Sequence, residues 1–320
     1  MMFEKVIDSI CKSKEIGITF HQNPDGDSLG SGLALLQGLL QLGKNAYIIS
    51  LEECPDDFKF LPMAETIDGK TTEPSKDTDL VIVLDCGNVE RINASLNLQS
   101  EKYSIINIDH HMSNDNYGSI NYVNTKSAAV GEIIFSILEY LEVDINKEIA
   151  TTIYTSLLTD TGSFRHSNTT ENTHNVAGKL IATGCEFSKI HQTLFENTTL
   201  DKLKLQGEVI NNMELAANNK ICFMKVTLDD LNKFNLLNGD TSDLITLGTK
   251  IKTVEVAVLI KEAEDKIKVS LRAKSYVDVR KIAEIYGGGG HTKASGFATQ
   301  LRIEDIKKEL LTIIEKELVI

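Results

Sequence analysis

Short apolar runs alternate with helix-period segments along the first half of the chain. Residues 16–20 ("IGITF"), 46–50 ("AYIIS"), 80–84 ("LVIVL") and 103–108 ("YSIINI") read as buried strands. Residues 28–43, 128–142 and 146–160 place apolar side chains three to four apart and read as helices, the first stopping at Gly43. Strands that alternate with helices predict an α/β fold built on a mostly parallel sheet covered on both faces. Residues 191–215 read as a helical connector. Beyond it, 220–226 and 253–262 read as strands, and 266–274 alternates with the period of a half-buried strand. Residues 278–297 ("DVRKIAEIYGGGGHTKASGF") read as a helix entering a glycine-rich loop. The expected organisation is one domain over 1–190, the connector over 191–215, and a smaller α/β domain over 216–320 facing the first across an active-site cleft.

Composition agrees with two soluble domains: 320 residues, 42% of them hydrophobic. The charge is uneven. Residues 1–190 hold 14 basic and 27 acidic side chains, whereas 191–320 hold 19 of each, so the whole excess of −13 lies in the first part. Such a surface repels a long phosphate backbone and excludes long duplex DNA as a partner. It suits divalent cations. No run reaches the roughly 18 apolar residues of a membrane span, and the start lacks a continuous signal-peptide core. A cytoplasmic protein without a membrane partner is expected. The five cysteines are scattered without a CxxC pair, which argues against a disulfide framework or zinc ribbon and for small buried hydrophobes. No GxxxxGK[ST] loop is present for ATP hydrolysis.

The candidate chemistry lies where strands end. "HQNPDGDSLGSG" (21–32) follows the first strand, Asp85 follows "LVIVL", "DHH" (109–111) follows "YSIINI", and Asp160 closes a helix in "LLTDTGSF". In an open α/β sheet, ligands bind outside the carboxyl ends of the strands. Parallel strands would therefore bring His21, Asp25, Asp27, Asp85, His110 and Asp160 to one edge, where they could surround two cations. Carboxylates and imidazoles without thiolates favour Mn, Mg or Zn. Two such ions roughly 3.5–4 Å apart, sharing one carboxylate, clamp a phosphoryl group and activate water. Asp25 and Asp27 then tolerate each other because each faces a different ion.

The motifs "HQNPDGDS", "LDCG", "DHH" and "TDTGSF", in this order, resemble those of the DHH phosphoesterase family. That family includes RecJ exonucleases, manganese-dependent family II pyrophosphatases and small oligoribonucleases. The resemblance implies one metal held by His21, Asp25 and Asp85, and a second held by Asp27, Asp85, His110 and Asp160. Manganese is the expected ion, with Mg, Zn or Co as alternatives. It further implies that Asp109 orients His110, and that His111 contacts the scissile phosphate and serves as a general acid.

"GGGGHTKASGF" (287–297) resembles the DHH-associated C-terminal domain of the oligoribonuclease and RecJ branch. Its glycines let backbone N–H groups approach an anion. Gly288, Gly289, Gly290 and His291, with Arg272, Lys274, Ser275 and Lys293, are the candidate substrate-binding residues. The basic motif that ends family II pyrophosphatases is absent, and the chain has no room for the extra nucleic-acid-binding domain of RecJ. The stand-alone type that remains is implied to degrade RNAs of a few nucleotides and to remove the 3′-phosphate of pAp (adenosine 3′,5′-bisphosphate). The resemblance leaves room for a homodimer. A cyclic di-AMP or pApA phosphodiesterase stays open, as do a pyrophosphatase and a non-catalytic nucleotide sensor. Arg165 and His166, beside Asp160, are weaker substrate candidates, and His174 and His191 read as structural.

Overall fold

The computed structural model describes residues 2–237 and 241–318. The chain forms two compact units, Met1–Asn197 and Thr198–Ile320. The first unit runs α1 (Met2–Lys12), β1 (Glu15–Thr19), α2 (Gly26–Gln41), β2 (Asn45–Ile48), β3 (Leu80–Leu84), β4 (Ser104–Asp109), β5 (Ile120–Val123), α3 (Val130–Tyr140), α4 (Lys147–Asp160), α5 (Glu171–Ala182) and α6 (Phe187–Phe195). Its five strands lie in the order β2-β1-β3-β4-β5, every pair parallel. All five residues of β3 are buried, as a central parallel strand requires. Leu80, Ile82 and Leu84 point into the core that α2, α3 and α4 share, while Val81 and Val83 meet Ile49, Ile92 and Ile105. One face of the sheet is thus covered by helices and the other by irregular chain.

The chain leaves β1 for β2 on one side, then crosses to β3 on the other. The switch point therefore falls between β1 and β3, where a crevice opens at the strand ends. Helix α2 is pressed against α4. A Cβ on Gly30 would come within 2.4 Å of the Thr152 carbonyl oxygen, so only glycine permits this approach. Helices α1 and α5 and strand β5 lie outside the expected elements. Four of the cysteines are buried as expected, but Cys11 is exposed.

The stretch 191–215 is shared between the units. α6 ends in the first, whereas α7 (Leu200–Asn211) belongs to the second and gives Leu205 and Val209 to its core. The second unit continues β6 (Glu214–Ala216), β7 (Ile221–Val226), α8 (Leu228–Lys233), α9 (Ile245–Thr249), β8 (Val256–Glu262), β9 (Ile267–Ala273), α10 (Val279–Ile285), β10 (Gly289–His291), β11 (Ala294–Thr299) and α11 (Ile303–Glu317). The sheet order is β10-β11-β9-β8-β7-β6, antiparallel except for β7–β8. α10 and α11 pack on Val258, Leu271 and Phe297. The expected glycine-rich loop is a hairpin: Gly289–His291 pairs with Ala294–Gly296. Among the described residues no helix is long and apolar enough to cross a membrane.

Candidate metal centre and substrate face

The structure brings all six expected ligands together at the carboxyl end of the first sheet. His21 follows β1, Asp25 is the N-cap of α2, and Asp27 lies in its first turn. Asp85 follows β3, His110 follows β4, and Asp160 ends α4. Asp85 holds a left-handed backbone (φ 51°), a strained conformation for a residue with a side chain. This sharp turn sends its carboxylate into the cluster.

Two groups form around Asp85. Its Oδ2 lies 3.5 Å from His21 Nε2, which is 3.6 Å from Asp25 Oδ2. Its Oδ1 lies 3.6 Å from His110 Nε2, which is 3.8 Å from both Asp27 Oδ2 and Asp160 Oδ2. These separations are long for hydrogen bonds. They suit donors that share an ion at about 2.0–2.2 Å from each. Asp85 Oδ1 is buried without a hydrogen-bond partner, a state that a cation would relieve. His21 Nδ1 donates to the Gln22 carbonyl (2.8 Å) and His110 Nδ1 to that of Ser127 (3.2 Å), so each presents Nε2 to the carboxylates. The residues present therefore fit divalent metal binding.

Electrostatics tell the same story. Burial raises Asp27 and Asp85 above the usual carboxylate range, aided by neighbouring acids, and burial lifts Asp160 to about 6. Burial works against charge on His21, yet Asp25 and Asp85 outweigh it and raise the imidazole to about 10. Burial and mutual repulsion disfavour so many charged carboxylates in one place, a cost that divalent ions would offset.

Asp27 has a second task. Helix α3 begins after Ala129, which cannot cap it. Asp27 supplies the cap from 103 residues away: Oδ2 accepts from Val130 N–H (2.8 Å) and Oδ1 from Gly131 N–H (3.2 Å). Ser156 Oγ also donates to Oδ1 (2.6 Å).

One expectation is corrected. The Asp109 side chain makes no hydrogen bond to the His110 ring, whose Nδ1 is taken by the Ser127 carbonyl. Asp109 Oδ1 accepts from His111 Nδ1 (2.7 Å) and from the backbone N–H of His110 (2.8 Å). The carboxylate beside its ring raises the His111 pKa. Arg165 sits in the turn after Asp160, its Nε donating to the Gly162 carbonyl (2.7 Å). His166 lies over Gly162, where a Cβ would meet its Nε2 at 2.4 Å. His174 stacks on Phe164 and His191 lies against Phe195, both structural contacts. Sequence reasoning missed Arg91, whose Nη2 lies 3.5 Å from His21 Nδ1. That nitrogen already donates to Gln22, and among the described residues Arg91 pairs with no carboxylate. Its signal was its rarity: Arg91 and Arg165 are the two arginines of residues 1–197.

In the second unit, Arg272 faces Ala294, which faces His291, across three strands. The next row runs Ser270, Gly296, Gly289. Residues directly opposite share a face. Arg272 and His291 therefore border a shelf of small side chains, while Leu271, Val269 and Phe297 point into the core. The glycines divide by role. Gly287 and Gly290 have positive φ (72° and 133°), and a Cβ on Gly288 would lie 2.3 Å from the Gly296 oxygen. Of the four, Gly289 alone combines open space for a Cβ with a backbone outside the positive-φ region. Lys274 Nζ donates to the Ile251 carbonyl, and Lys293 Nζ to those of Ser275 and Val277. Ser275, Tyr276 and Val277 N–H groups converge on buried Glu255 Oε1 at 2.9, 2.8 and 3.1 Å.

A crevice at the switch point, lined by two N/O-donor groups that share one carboxylate, offers the donor set of a metal-assisted hydrolase of phosphate esters. Residues 15–158 match the DHH family, N-terminal domain, and residues 218–318 match the DHHA1 domain. The chain belongs to the DHH family and is a hydrolytic phosphoesterase. It is 29% identical over 317 residues to the bifunctional oligoribonuclease and PAP phosphatase NrnA of Thermus thermophilus, covering 98% of this chain and 94% of that one. The Bacillus subtilis protein of the same description is 33% identical over 282 residues, 86% of each chain. The solved structure of an exopolyphosphatase-related protein from Bacteroides fragilis superposes with a TM-score of 0.91 at 25% identity, covering 98% of this chain and 96% of that one.

Proposed function

We propose that this protein is a manganese-dependent phosphoesterase that hydrolyses RNAs of a few nucleotides and the 3′-phosphate of pAp in the cytoplasm. The observation that carries the reading is Asp85, which turns its two oxygens to two separate donor groups. His21, Asp25 and Asp85 would hold one ion, and Asp27, Asp85, His110 and Asp160 would hold the other. Bound there, the ions supply charge neutralisation at the phosphate and activation of water. The rest is the work of the chain. Asp109 holds His111 with Nδ1–H toward itself and Nε2 outward. Water adds to phosphorus, the bond to the departing oxygen breaks, and the His111 imidazolium gives its Nε2 proton to that oxygen.

The names of the two NrnA relatives support the substrate class. Arg91, beside His21, and Arg165, in the turn after Asp160, supply positive charge for a second phosphate in an otherwise acidic unit. Arg272, Ser275 and the Gly288–His291 hairpin provide the second unit's contribution to substrate binding. The test is a panel with Mn: pAp, an RNA dinucleotide, a 24-mer, cyclic di-AMP, pApA and pyrophosphate. The dinucleotide and pAp are expected to turn over fastest. Equal rates on the 24-mer, or preference for cyclic di-AMP or pyrophosphate, would overturn the reading.

A further inference from the structure

Behind His111 lies a chain of hydrogen bonds that metal binding does not require. Asn114 Nδ2 donates to Asp109 Oδ2 (2.5 Å) and to Asn107 Oδ1 (2.7 Å). Asn107 Nδ2 in turn donates to Tyr117 Oη (3.0 Å) and to the carbonyls of Cys86 (3.2 Å) and Val83 (3.3 Å). Tyr117 Oη donates to the Cys86 carbonyl (2.8 Å). Each amide is oriented by its neighbours, since the carbonyl oxygens of Val83 and Cys86 accept only. Asn107 must point its NH2 at them and its oxygen at Asn114. Asn114 must then offer both of its N–H groups inward. Its own oxygen accepts from Asn116 N–H (2.7 Å), away from the site.

The consequence falls on Asp109. This fully buried carboxylate is met by donors on both oxygens: the His111 ring and His110 N–H on Oδ1, and Asn114 on Oδ2. It therefore stays an acceptor, and His111 keeps its proton on Nδ1. The chain ends on the carbonyl of Cys86, the residue after Asp85. Asp115 N–H also bonds the Gly87 carbonyl (2.8 Å), and a Cβ on Gly87 would lie 3.2 Å from both Asp109 Oδ2 and His111 Cβ. The turn that aims Asp85 and the ring of His111 are thereby held as one body.

We propose that Asn114 is a positioning residue: through Asp109 it holds the His111 ring in one tautomer and one orientation, in register with the Asp85 turn. The inference rests on the phosphoesterase reading for its kinetic consequence, but not for the state of the ring. Asn114→Ala removes one donor to a carboxylate. It is expected to lower kcat on pAp by about 10- to 100-fold, the worth of one charge-assisted hydrogen bond. KM, manganese bound per chain and the far-ultraviolet spectrum are expected to stay at wild-type values.

Nitrogen-15 spectra of the His111 ring, recorded at alkaline pH where the ring is neutral, give the second arm. Wild type is expected to show only the Nδ1–H tautomer, and Asn114→Ala a mixture containing Nε2–H. An unchanged tautomer, an unchanged kcat, or a loss traced to KM or to metal content overturns the proposal. If the wild-type protein hydrolyses neither pAp nor a dinucleotide, the function proposed above fails, and the ring spectra alone decide this inference. Should Asn114→Ala not fold, Tyr117→Phe weakens the far end of the same chain. A roughly 3- to 10-fold loss in kcat with normal metal content is then expected, and wild-type kcat overturns the proposal.

Discussion

Replacing Asp27 by alanine should unfold the first unit more easily even when no metal is present, whereas Asp85→Asn should not. Both residues belong to the donor cluster, but their attachments differ. Asp27 is 1% exposed and accepts three hydrogen bonds, two of them from the first N–H groups of α3. Asp27→Ala orphans the buried Val130 N–H, at about 1–3 kcal/mol, and leaves Gly131 N–H only its bond to Ser156 Oγ (3.1 Å). Removing a carboxylate crowded by Asp85 and Asp160 returns part of this. A net loss of about 2 kcal/mol follows, or roughly 4–8 °C in Tm for a unit of this size. Asp27→Asn should fall between, because its amide can keep Val130 N–H on oxygen while donating to Ser156. Asp85 Oδ1 has no hydrogen-bond partner, and its left-handed backbone suits asparagine. Asp85→Asn should therefore hold the metal-free Tm within about 3 °C while abolishing metal binding and turnover. The assay is thermal unfolding with chelator present, beside calorimetric titration with Mn. Equal Tm values for Asp27→Ala and Asp85→Asn would refute the assignment of Asp27 as the cap of α3.

Three further outcomes are expected. Gly288→Ala should destabilise the second unit by about 1–3 kcal/mol through its clash with the Gly296 oxygen, whereas Gly289→Ala should leave Tm unchanged and raise KM for pAp; unchanged KM would remove Gly289 from the substrate face. Burial tends to raise Glu255, but three backbone N–H groups outweigh it and hold its pKa low. A depressed folded pKa contributes stability above the unfolded value of roughly 4.3 and loses it as pH falls further. Acid unfolding of Glu255→Gln should accordingly be less steep below that pH than in wild type, with lower stability at pH 7. Arg91→Ala should raise KM for pAp about 10-fold or more, the worth of a charge-assisted bond, without changing bound metal; equal effects on a substrate carrying only the scissile phosphate would show that Arg91 serves no second phosphate.

Strand and helix periods along residues 15–160 were legible because a central parallel strand must be apolar throughout and a covering helix apolar on one side. β3 and α4 lie within one residue of their expected limits. The apolar positions of α1 and α11 (Val6, Ile7, Ile10; Ile306, Leu310, Ile314) were equally visible and went unassigned. The ligand types at strand ends were legible too, since placing like charges together demands a counter-charge. What sequence could not decide is which atom meets which. Whether Asp109 turns to His110 or to His111 depends on a backbone turn that a residue list does not contain. That Asp27 caps a helix 103 residues later depends on α2 and α4 meeting at Gly30. The glycine run looked like an anion loop because composition shows freedom of the backbone, not its use. Three of the four glycines are required by the end of α10 and the hairpin that follows it, through φ or a close oxygen. Hydrogen bonds and close contacts are short-ranged and directional, so only the packed chain selects among partners that composition leaves equivalent.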